Sequence, residues 1–245
     1  MLTTKDRSNT MNKVAVFSSK RYDRKIADEH IQSSPIDFTF FESALSEETV
    51  HLAEGFDAIC IFVNDEANES VLETLHSFGI SIIALRCAGY NNVDIKVAEK
   101  LGFTLCRVPE YSPEAVAEHT VGLMLTLSRK FHKAYNRVRE GNFALDGLMG
   151  FNLYQKTVGI IGTGNIGIAT LKIMNGFGCR ILCSDPVQNP EAIKLGATYV
   201  DLDTLFKEAD IISLHCPLLP QTQHIIDKDA ISKMKKGVMI INTSR

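Results

Sequence analysis

Residues 156–186 have the sequence KTVGIIGTGNIGIATLKIMNGFGCRILCSDP. The apolar, β-branched run from Thr157 to Ile161 is typical of a strand that is buried on both faces, and a helical pattern follows it. Between them, Gly162, Gly164 and Gly167 form the pattern G-x-G-x-x-G. The first glycine permits a tight turn, the second lets a pyrophosphate approach the backbone, and the third lets the helix pack closely on the strand. The stretch therefore predicts a dinucleotide site with its phosphates at the N-terminus of the helix.

An acidic residue ends this unit. A second apolar strand, Arg180 to Ser184, is followed by Asp185, which lies 18 residues beyond Gly167. That distance is close to the roughly 20 residues expected for the carboxylate that binds an adenosine ribose. Because a carboxylate repels the additional phosphate of NADP, we expect the cofactor to be NAD. A glycine-rich turn without a ligand is the alternative, but the strand, the helix, the second strand and the acid together favour a dinucleotide.

The composition excludes several classes of protein. The chain has 245 residues, of which 45% are hydrophobic, and this is enough for one large or two modest domains. The net charge of −3 comes without a basic stripe for nucleic acid, and no apolar run is long enough to span a membrane. The opening residues lack the apolar core of a signal peptide. The six cysteines have no metal-binding spacing, so we expect no metal and a reducing, cytoplasmic location.

Strands alternate with helices on both sides of the glycine-rich stretch, which predicts an α/β protein with parallel sheets covered by helices. We expect residues 1–10 to be a disordered extension, with either Met1 or Met11 as the start. Residues 11–110 are expected to form one domain, and residues 111–245 the nucleotide-binding domain. The helix start Ser112-Pro113-Glu114, followed by apolar residues at helical spacing, predicts one long helix to about Glu140. Another helix is predicted from Ser46 to Gly55.

Five motifs occur in order along the chain: LRCAGYNNVD (85–94), VPEYSPEAVAEHT (108–120), VGIIGTGNIG (158–167), SLHCPLLPQT (213–222) and INTSR (241–245). Together they resemble the D-isomer-specific 2-hydroxyacid dehydrogenases, and above all the fermentative, NAD-dependent D-lactate dehydrogenases of bacteria. The resemblance implies two Rossmann-like domains, a flavodoxin-like substrate domain and an NAD-binding domain that is incomplete here. It also implies that NADH reduces pyruvate to D-lactate. Reduction of glyoxylate or hydroxypyruvate stays open, because relatives with those substrates share most of the motifs.

The resemblance also assigns residues to the substrate. Backbone N–H groups of Cys87, Ala88 and Gly89 would receive the substrate carboxylate, and Tyr111 would contact the substrate. The alternatives are a tight turn for the loop and hinge packing for the tyrosine. Arg245 matches the family's catalytic arginine, whose planar, permanently charged guanidinium suits a carboxylate and a polarised carbonyl.

On the cofactor side, the resemblance implies contacts with the pyrophosphate, the adenosine ribose and the surroundings of the nicotinamide. His215 needs no ligand role, and we expect it to bond to backbone. The implied contact residues are Gly162, Gly164, Asn165, Ile166, Gly167, Asp185, Cys216, Pro217, Thr222, Thr243, Ser244 and Arg245.

One part of the family pattern is missing from the chain. The family's acid–base pair, a glutamate and a histidine, lies beyond the position of Arg245, and none of the seven histidines matches it. We therefore expect the chain as written to be inactive or nearly so. An NAD(H)-binding sensor, like the corepressors of the family, and a non-functional fragment are the alternatives. The apolar helix after Ser112 favours a homo-oligomer, and no nucleic-acid or membrane partner is expected.

Overall fold

The computed structural model describes residues 12–30 and 35–244 of the chain. These residues divide into two compact units between Tyr111 and Ser112. Each unit contains one five-stranded sheet in which all paired neighbours are parallel, so the predicted fold class is confirmed. The disordered extension expected for residues 1–10 lies outside the described residues.

The first unit alternates strands with helices, because parallel neighbours need a crossover connection. Its elements are β1 (Asn12–Val16), α1 (Arg21–His30), β2 (Ile36–Phe40), a 3-10 helix (Val50–Ala53), β3 (Ala58–Ile61), α2 (Glu69–Ser77), β4 (Ile82–Leu85), α3 (Ile95–Lys100) and β5 (Thr104–Arg107). The strand order is β2-β1-β3-β4-β5. In such a sheet, ligands bind beyond the carboxyl ends of the strands, which is where the loop after β4 lies.

The second unit begins with two helices and continues with the same alternation. Its elements are α4 (Pro113–Arg129), α5 (Phe131–Arg139), β6 (Thr157–Ile161), α6 (Asn165–Gly176), β7 (Arg180–Ser184), α7 (Pro190–Lys194), β8 (Thr198–Tyr199), α8 (Leu202–Glu208), β9 (Ile211–Leu214), α9 (Lys228–Lys233) and β10 (Met239–Asn242). The strand order is β10-β9-β6-β7-β8. The order reverses beside β6, and a crevice at such a reversal is the usual ligand site of open α/β sheets.

All five residues of β6 are buried, which explains its unbroken apolar sequence. Ile160 belongs to the cluster formed with α4 and α6, whereas Ile161 belongs to the cluster formed with α8. Gly159 is needed for the second contact, since a Cβ at this position would lie 2.5 Å from a methyl carbon of Leu205. Burial on both faces holds the end of β6, and with it the glycine turn, in a fixed place.

The prediction of one helix from Ser112 to about Glu140 is wrong. The helix ends at Arg129, Lys130 adopts a left-handed conformation with φ 55°, and α5 begins at Phe131. The reason is packing rather than a helix-breaking residue. Val121, Met124 and Ser128 of α4 are buried, and α4 packs on α6, whereas α5 has no buried residue. The Lys130 ammonium donates to the carbonyl oxygen of Gly147 at 2.9 Å and so joins the break to the following loop.

The predicted helix from Ser46 to Gly55 is also wrong, because only the 3-10 turn Val50–Ala53 forms. Thr49 accounts for the difference. Its hydroxyl donates to the carbonyl oxygen of Ala44 at 2.6 Å and accepts from the backbone N–H of Ser46 at 2.9 Å. A hydroxyl that bonds to nearby backbone competes with the helical pattern, and it does so here across the expected first turn.

Candidate active site

Two of the three motif glycines are required by the packing of the protein itself. Gly162 has φ +95°, and a Cβ there would lie 2.7 Å from the backbone nitrogen of Cys216. A Cβ on Gly167 would collide with the carbonyl oxygen of Gly162. These two positions therefore bring the turn after β6 against the loop after β9 and bring α6 against the turn.

Gly164 differs from the other two glycines, because a Cβ there would meet no atom within 4 Å. It is the N-cap of α6, where no side chain caps the helix and no acidic residue lies in the first turn. Asn165 and Ile166 are the first residues of this helix. The open side of Gly164 and the positive end of α6 fit a pyrophosphate, which needs close backbone approach and N–H donors.

Asp185 lies directly after β7 and is held by three hydrogen bonds. Its Oδ2 accepts from the backbone N–H of Thr163 at 2.7 Å and from the Thr163 hydroxyl at 3.2 Å. Its Oδ1 accepts from the backbone N–H of Val187 at 2.9 Å. The carboxylate is thereby tied to the middle of the glycine turn, which is where the ribose next to a bound pyrophosphate would lie.

Three residues around this carboxylate were not predicted from the sequence: Thr163, Asn189 and Tyr199. Tyr199 donates to the Thr163 hydroxyl at 2.8 Å, and the side-chain amide of Asn189 donates to the Thr163 carbonyl oxygen at 3.0 Å. Only the place of Thr163 between two motif glycines could have drawn attention to it. Tyr199 lies 36 residues further along the chain, and no motif marks it.

The loop after β9 and the end of β10 enclose a pocket of about 220 Å³. Thr222 shapes the loop, since its hydroxyl accepts from the backbone N–H of Leu219 at 2.8 Å. Ser244 joins the loop to β10, because its hydroxyl donates to the carbonyl oxygen of Leu214 at 3.0 Å. Four of the residues expected at the cofactor therefore line one pocket, whose lining is Leu214, Cys216, Pro217, Leu218, Thr222, His224, Ile225, Ile226, Asn242 and Ser244.

Thr243 faces a different neighbour. Its hydroxyl lies 2.9 Å from the hydroxyl of Thr120 on α4, so it anchors the end of β10 to that helix. Arg245, expected to be the catalytic arginine, lies outside the described residues.

The imidazole of His215 is partly buried at the end of β9. Its Nε2 lies 2.8 Å from the hydroxyl of the fully buried Ser213, so its partner is a side chain and not the expected backbone group. Burial lowers the pKa of His215 to about 4, because the charged imidazolium is poorly solvated there. At neutral pH this histidine is therefore uncharged and leaves the potential near the glycine turn unchanged.

In the first unit, Cys87, Ala88 and Gly89 form the loop directly after β4. Arg107 at the end of β5 holds this loop, since its guanidinium donates to the carbonyl oxygens of Ala88 at 3.1 Å and of Pro109 at 3.2 Å. The carbonyl oxygen of Cys87 accepts from the backbone N–H of Val108. Within the described residues, the backbone N–H groups of Ala88 and Gly89 make no hydrogen bond. A carboxylate is the kind of group that such a pair of N–H donors can bind.

Tyr111 is the last residue of the first unit and follows β5. Its side chain is 67% exposed, so it does not serve as core packing within that unit.

Within residues 12–30 and 35–244, no group of three His, Cys, Asp or Glu residues is placed to hold a metal ion. No helix in the same ranges has the length and apolar character needed to cross a bilayer.

Comparison with known proteins agrees with the glycine turn and its acid. The family model described as "D-isomer specific 2-hydroxyacid dehydrogenase, NAD binding domain" matches residues 121–245. A 2-hydroxyacid dehydrogenase homolog of Haemophilus influenzae is 54% identical over 233 residues, which are 95% of this chain and 70% of that protein. The D-lactate dehydrogenase of Escherichia coli is 52% identical over 95% of this chain and 71% of its own length.

Solved structures agree with these sequence relatives. The apo-structure of the Escherichia coli D-lactate dehydrogenase matches with a TM-score of 0.88 over 95% of this chain and 74% of that chain. A D-lactate dehydrogenase from Aquifex aeolicus, solved in complex with NAD and lactic acid, is 33% identical. It matches with a TM-score of 0.84 over 95% of this chain and 69% of that chain.

Proposed function

Because the chain belongs to the D-isomer-specific 2-hydroxyacid dehydrogenases, an NAD-dependent family of oxidoreductases, we propose that its substrate pair is pyruvate and D-lactate. The observation that carries the choice of substrate is the likeness to the Escherichia coli D-lactate dehydrogenase, in sequence and in fold. Membership of the family limits the substrate to 2-oxoacids and the corresponding 2-hydroxyacids. Glyoxylate and hydroxypyruvate are the alternative substrates, since they differ from pyruvate by groups too small to be separated by motifs.

The cofactor is NAD, and the geometry of the second unit supports specific roles in its binding. We assign the pyrophosphate to the open side of Gly164 and the start of α6, and the adenosine ribose to Asp185. The pocket between the loop after β9 and the end of β10 is assigned to the nicotinamide half. When bound, the reduced nicotinamide supplies the hydride for the substrate carbonyl.

We propose Ala88, Gly89 and Arg245 as contacts of the substrate. The N–H groups of Ala88 and Gly89 bind the carboxylate of the 2-oxoacid, and Arg107 keeps them available by holding the loop through its carbonyl oxygens. Arg245 then supplies a fixed positive charge for the carboxylate and for the negative charge that develops on the carbonyl oxygen. We propose residues 11–110 as the substrate domain and residues 111–245 as the NAD-binding domain; the boundary between the two compact units lies one residue later, after Tyr111.

We further propose that the protein is a homo-oligomer that associates through α5. Phe131, Tyr135 and Val138 lie one above another at helical spacing, and each is more than half exposed. Phe143 and Leu145 in the next loop are also exposed. A surface of this kind usually marks an association site.

The free thiols of all six cysteines are consistent with a cytoplasmic location.

The interface proposal is tested by light scattering of the double variant Phe131→Glu/Tyr135→Glu. We expect it to dissociate to monomers, because two carboxylates would be desolvated in the contact. Ile193→Glu is the matched control, since Ile193 is equally exposed but lies on α7. An unchanged oligomer in the double variant refutes the interface.

The catalytic proposal is tested with protein expressed from its natural gene. Oxidation of NADH is measured against pyruvate, 2-oxobutyrate, glyoxylate and hydroxypyruvate, and the product of pyruvate is analysed by chiral chromatography. We expect the highest kcat/KM with pyruvate and a D-configured product. A preference for glyoxylate or hydroxypyruvate, or an L-product, refutes the proposal. Tight binding of NADH without turnover of any 2-oxoacid favours the alternative of an NAD(H) sensor.

A further inference from the structure

Thr163, at the centre of the glycine turn, is held through every polar group it has. Its N–H and its hydroxyl donate to Asp185, and its carbonyl oxygen accepts from the Asn189 amide. The hydroxyl also accepts from Tyr199 at 2.8 Å. Thr163 is 3% exposed, so water does not compete with these partners.

The direction of the hydrogen bonds follows from chemistry alone. The backbone N–H of Asn189 can only donate, and it donates to the Tyr199 hydroxyl at 2.8 Å. Tyr199 therefore uses its own proton toward Thr163, and the Thr163 hydroxyl uses its proton toward the carboxylate of Asp185. The result is a chain of hydrogen bonds that polarise one another from Asn189 through Tyr199 and Thr163 to Asp185.

This chain decides which oxygen of Asp185 is left for a ligand. Oδ2 receives both donors of Thr163 and has no acceptor position left, because a carboxylate oxygen has about two lone-pair positions. Oδ1 receives only the N–H of Val187. Oδ1 can therefore accept a hydrogen bond from a ribose hydroxyl while Thr163 holds the carboxylate in this orientation.

We propose that Tyr199 is a positioning residue for the nucleotide: acting through Thr163, it holds Asp185 in the orientation that accepts the ribose of NADH and repels the phosphate of NADPH. The role is made possible by β8, which pairs Tyr199 with Cys183 of β7 and so brings it beside Asp185. The proposal rests on the NAD site assigned above.

The test is a set of dissociation constants for NADH and NADPH, measured by calorimetry on wild type, Tyr199→Phe, Thr163→Val and the double variant. Tyr199→Phe removes one hydroxyl and leaves the ring. We expect its Kd for NADH to rise about three- to tenfold, the range of one hydrogen bond. The Kd for NADPH should rise less, because a loosened carboxylate can turn away from the phosphate. The ratio of the Kd for NADPH to the Kd for NADH should therefore fall.

Thr163→Val keeps the shape and the N–H bond to Asp185 but interrupts the chain of hydroxyls. We expect it to lower the same ratio, and we expect Tyr199→Phe to have no further effect on the ratio in the Thr163→Val background. Tyr154→Phe is the matched control, since it removes an exposed phenol hydroxyl in the same unit and should change neither constant.

Two results would overturn the role of Tyr199: an unchanged ratio of the Kd for NADPH to the Kd for NADH in Tyr199→Phe, which includes equal rises in both constants, or a further fall of this ratio in the double variant. If Tyr199→Phe does not fold, Thr163→Val alone decides, and an unchanged ratio in that variant rejects the proposal. A wild-type protein that binds neither nucleotide would instead refute the NAD site itself.

Discussion

Replacement of Gly164 by alanine should separate nucleotide binding from stability. In the free protein the added methyl group meets no atom within 4 Å, so it causes no collision. Alanine is a poorer N-cap than glycine, which destabilises the folded protein by about 1 kcal/mol. Alanine also lowers the entropy of the unfolded chain, which stabilises the folded protein by about 0.4–1 kcal/mol. The two effects oppose each other, and we expect the free energy of unfolding to change by less than about 1 kcal/mol.

Binding should respond very differently. The methyl group of Gly164→Ala would occupy the space through which the pyrophosphate approaches the start of α6. We expect the Kd for NADH to rise at least about tenfold, which corresponds to about 1.4 kcal/mol. Thermal unfolding of the free protein and calorimetric titration with NADH measure the two quantities on the same samples.

Two further glycines supply the controls. Gly176 lies at the other end of α6, also with open space, so Gly176→Ala should leave the Kd for NADH unchanged and raise the free energy of unfolding by about 0.4–1 kcal/mol. Gly167→Ala should lose about 1–3 kcal/mol of stability without any ligand, because its Cβ collides with the carbonyl oxygen of Gly162. Unchanged NADH affinity in a folded Gly164→Ala variant would refute the placement of the pyrophosphate at this turn.

Three other substitutions test separate parts of the second unit. Burial lowers the pKa of His215 from 6.5 to about 4, so the unfolded chain binds a proton more readily than the folded protein. The free energy of unfolding should therefore fall by roughly 3 kcal/mol as the pH falls from about 6.5 to 4. Denaturant unfolding at several pH values should show this loss in wild type and a flatter profile in His215→Gln; parallel profiles would contradict the buried, neutral imidazole. Asp185→Ser should lower the ratio of the Kd for NADPH to the Kd for NADH at least about tenfold, because it removes the charge that repels the phosphate. An unchanged ratio in calorimetric titrations would place the ribose elsewhere. Lys130→Gly should raise the free energy of unfolding by about 0.5–1 kcal/mol in urea titrations, because glycine adopts the left-handed φ of 55° without strain, whereas a loss would mean that the bond to Gly147 dominates.

The amino-acid sequence was sufficient for the features that depend on neighbouring residues. Strand β6, the glycine turn, helix α6 and Asp185 follow one another within 31 residues, and each has a local requirement that its residues meet. The alternation of apolar strands with capped helices likewise predicted two parallel sheets. These predictions succeeded because periodicity and turn chemistry act over a few residues, whatever the rest of the chain does.

Tertiary structure alone decided the remaining features, because they depend on contacts between distant residues. The break at Lys130 lies where α4 leaves its packing partner α6, and no residue type marks it. The low pKa of His215 results from burial beside Ser213. The link from Tyr199 to Thr163 exists only because β8 pairs with β7 and lays residue 199 against residue 163. Side chains that are far apart in the sequence become partners only when the sheet brings them together, and no local pattern records that event.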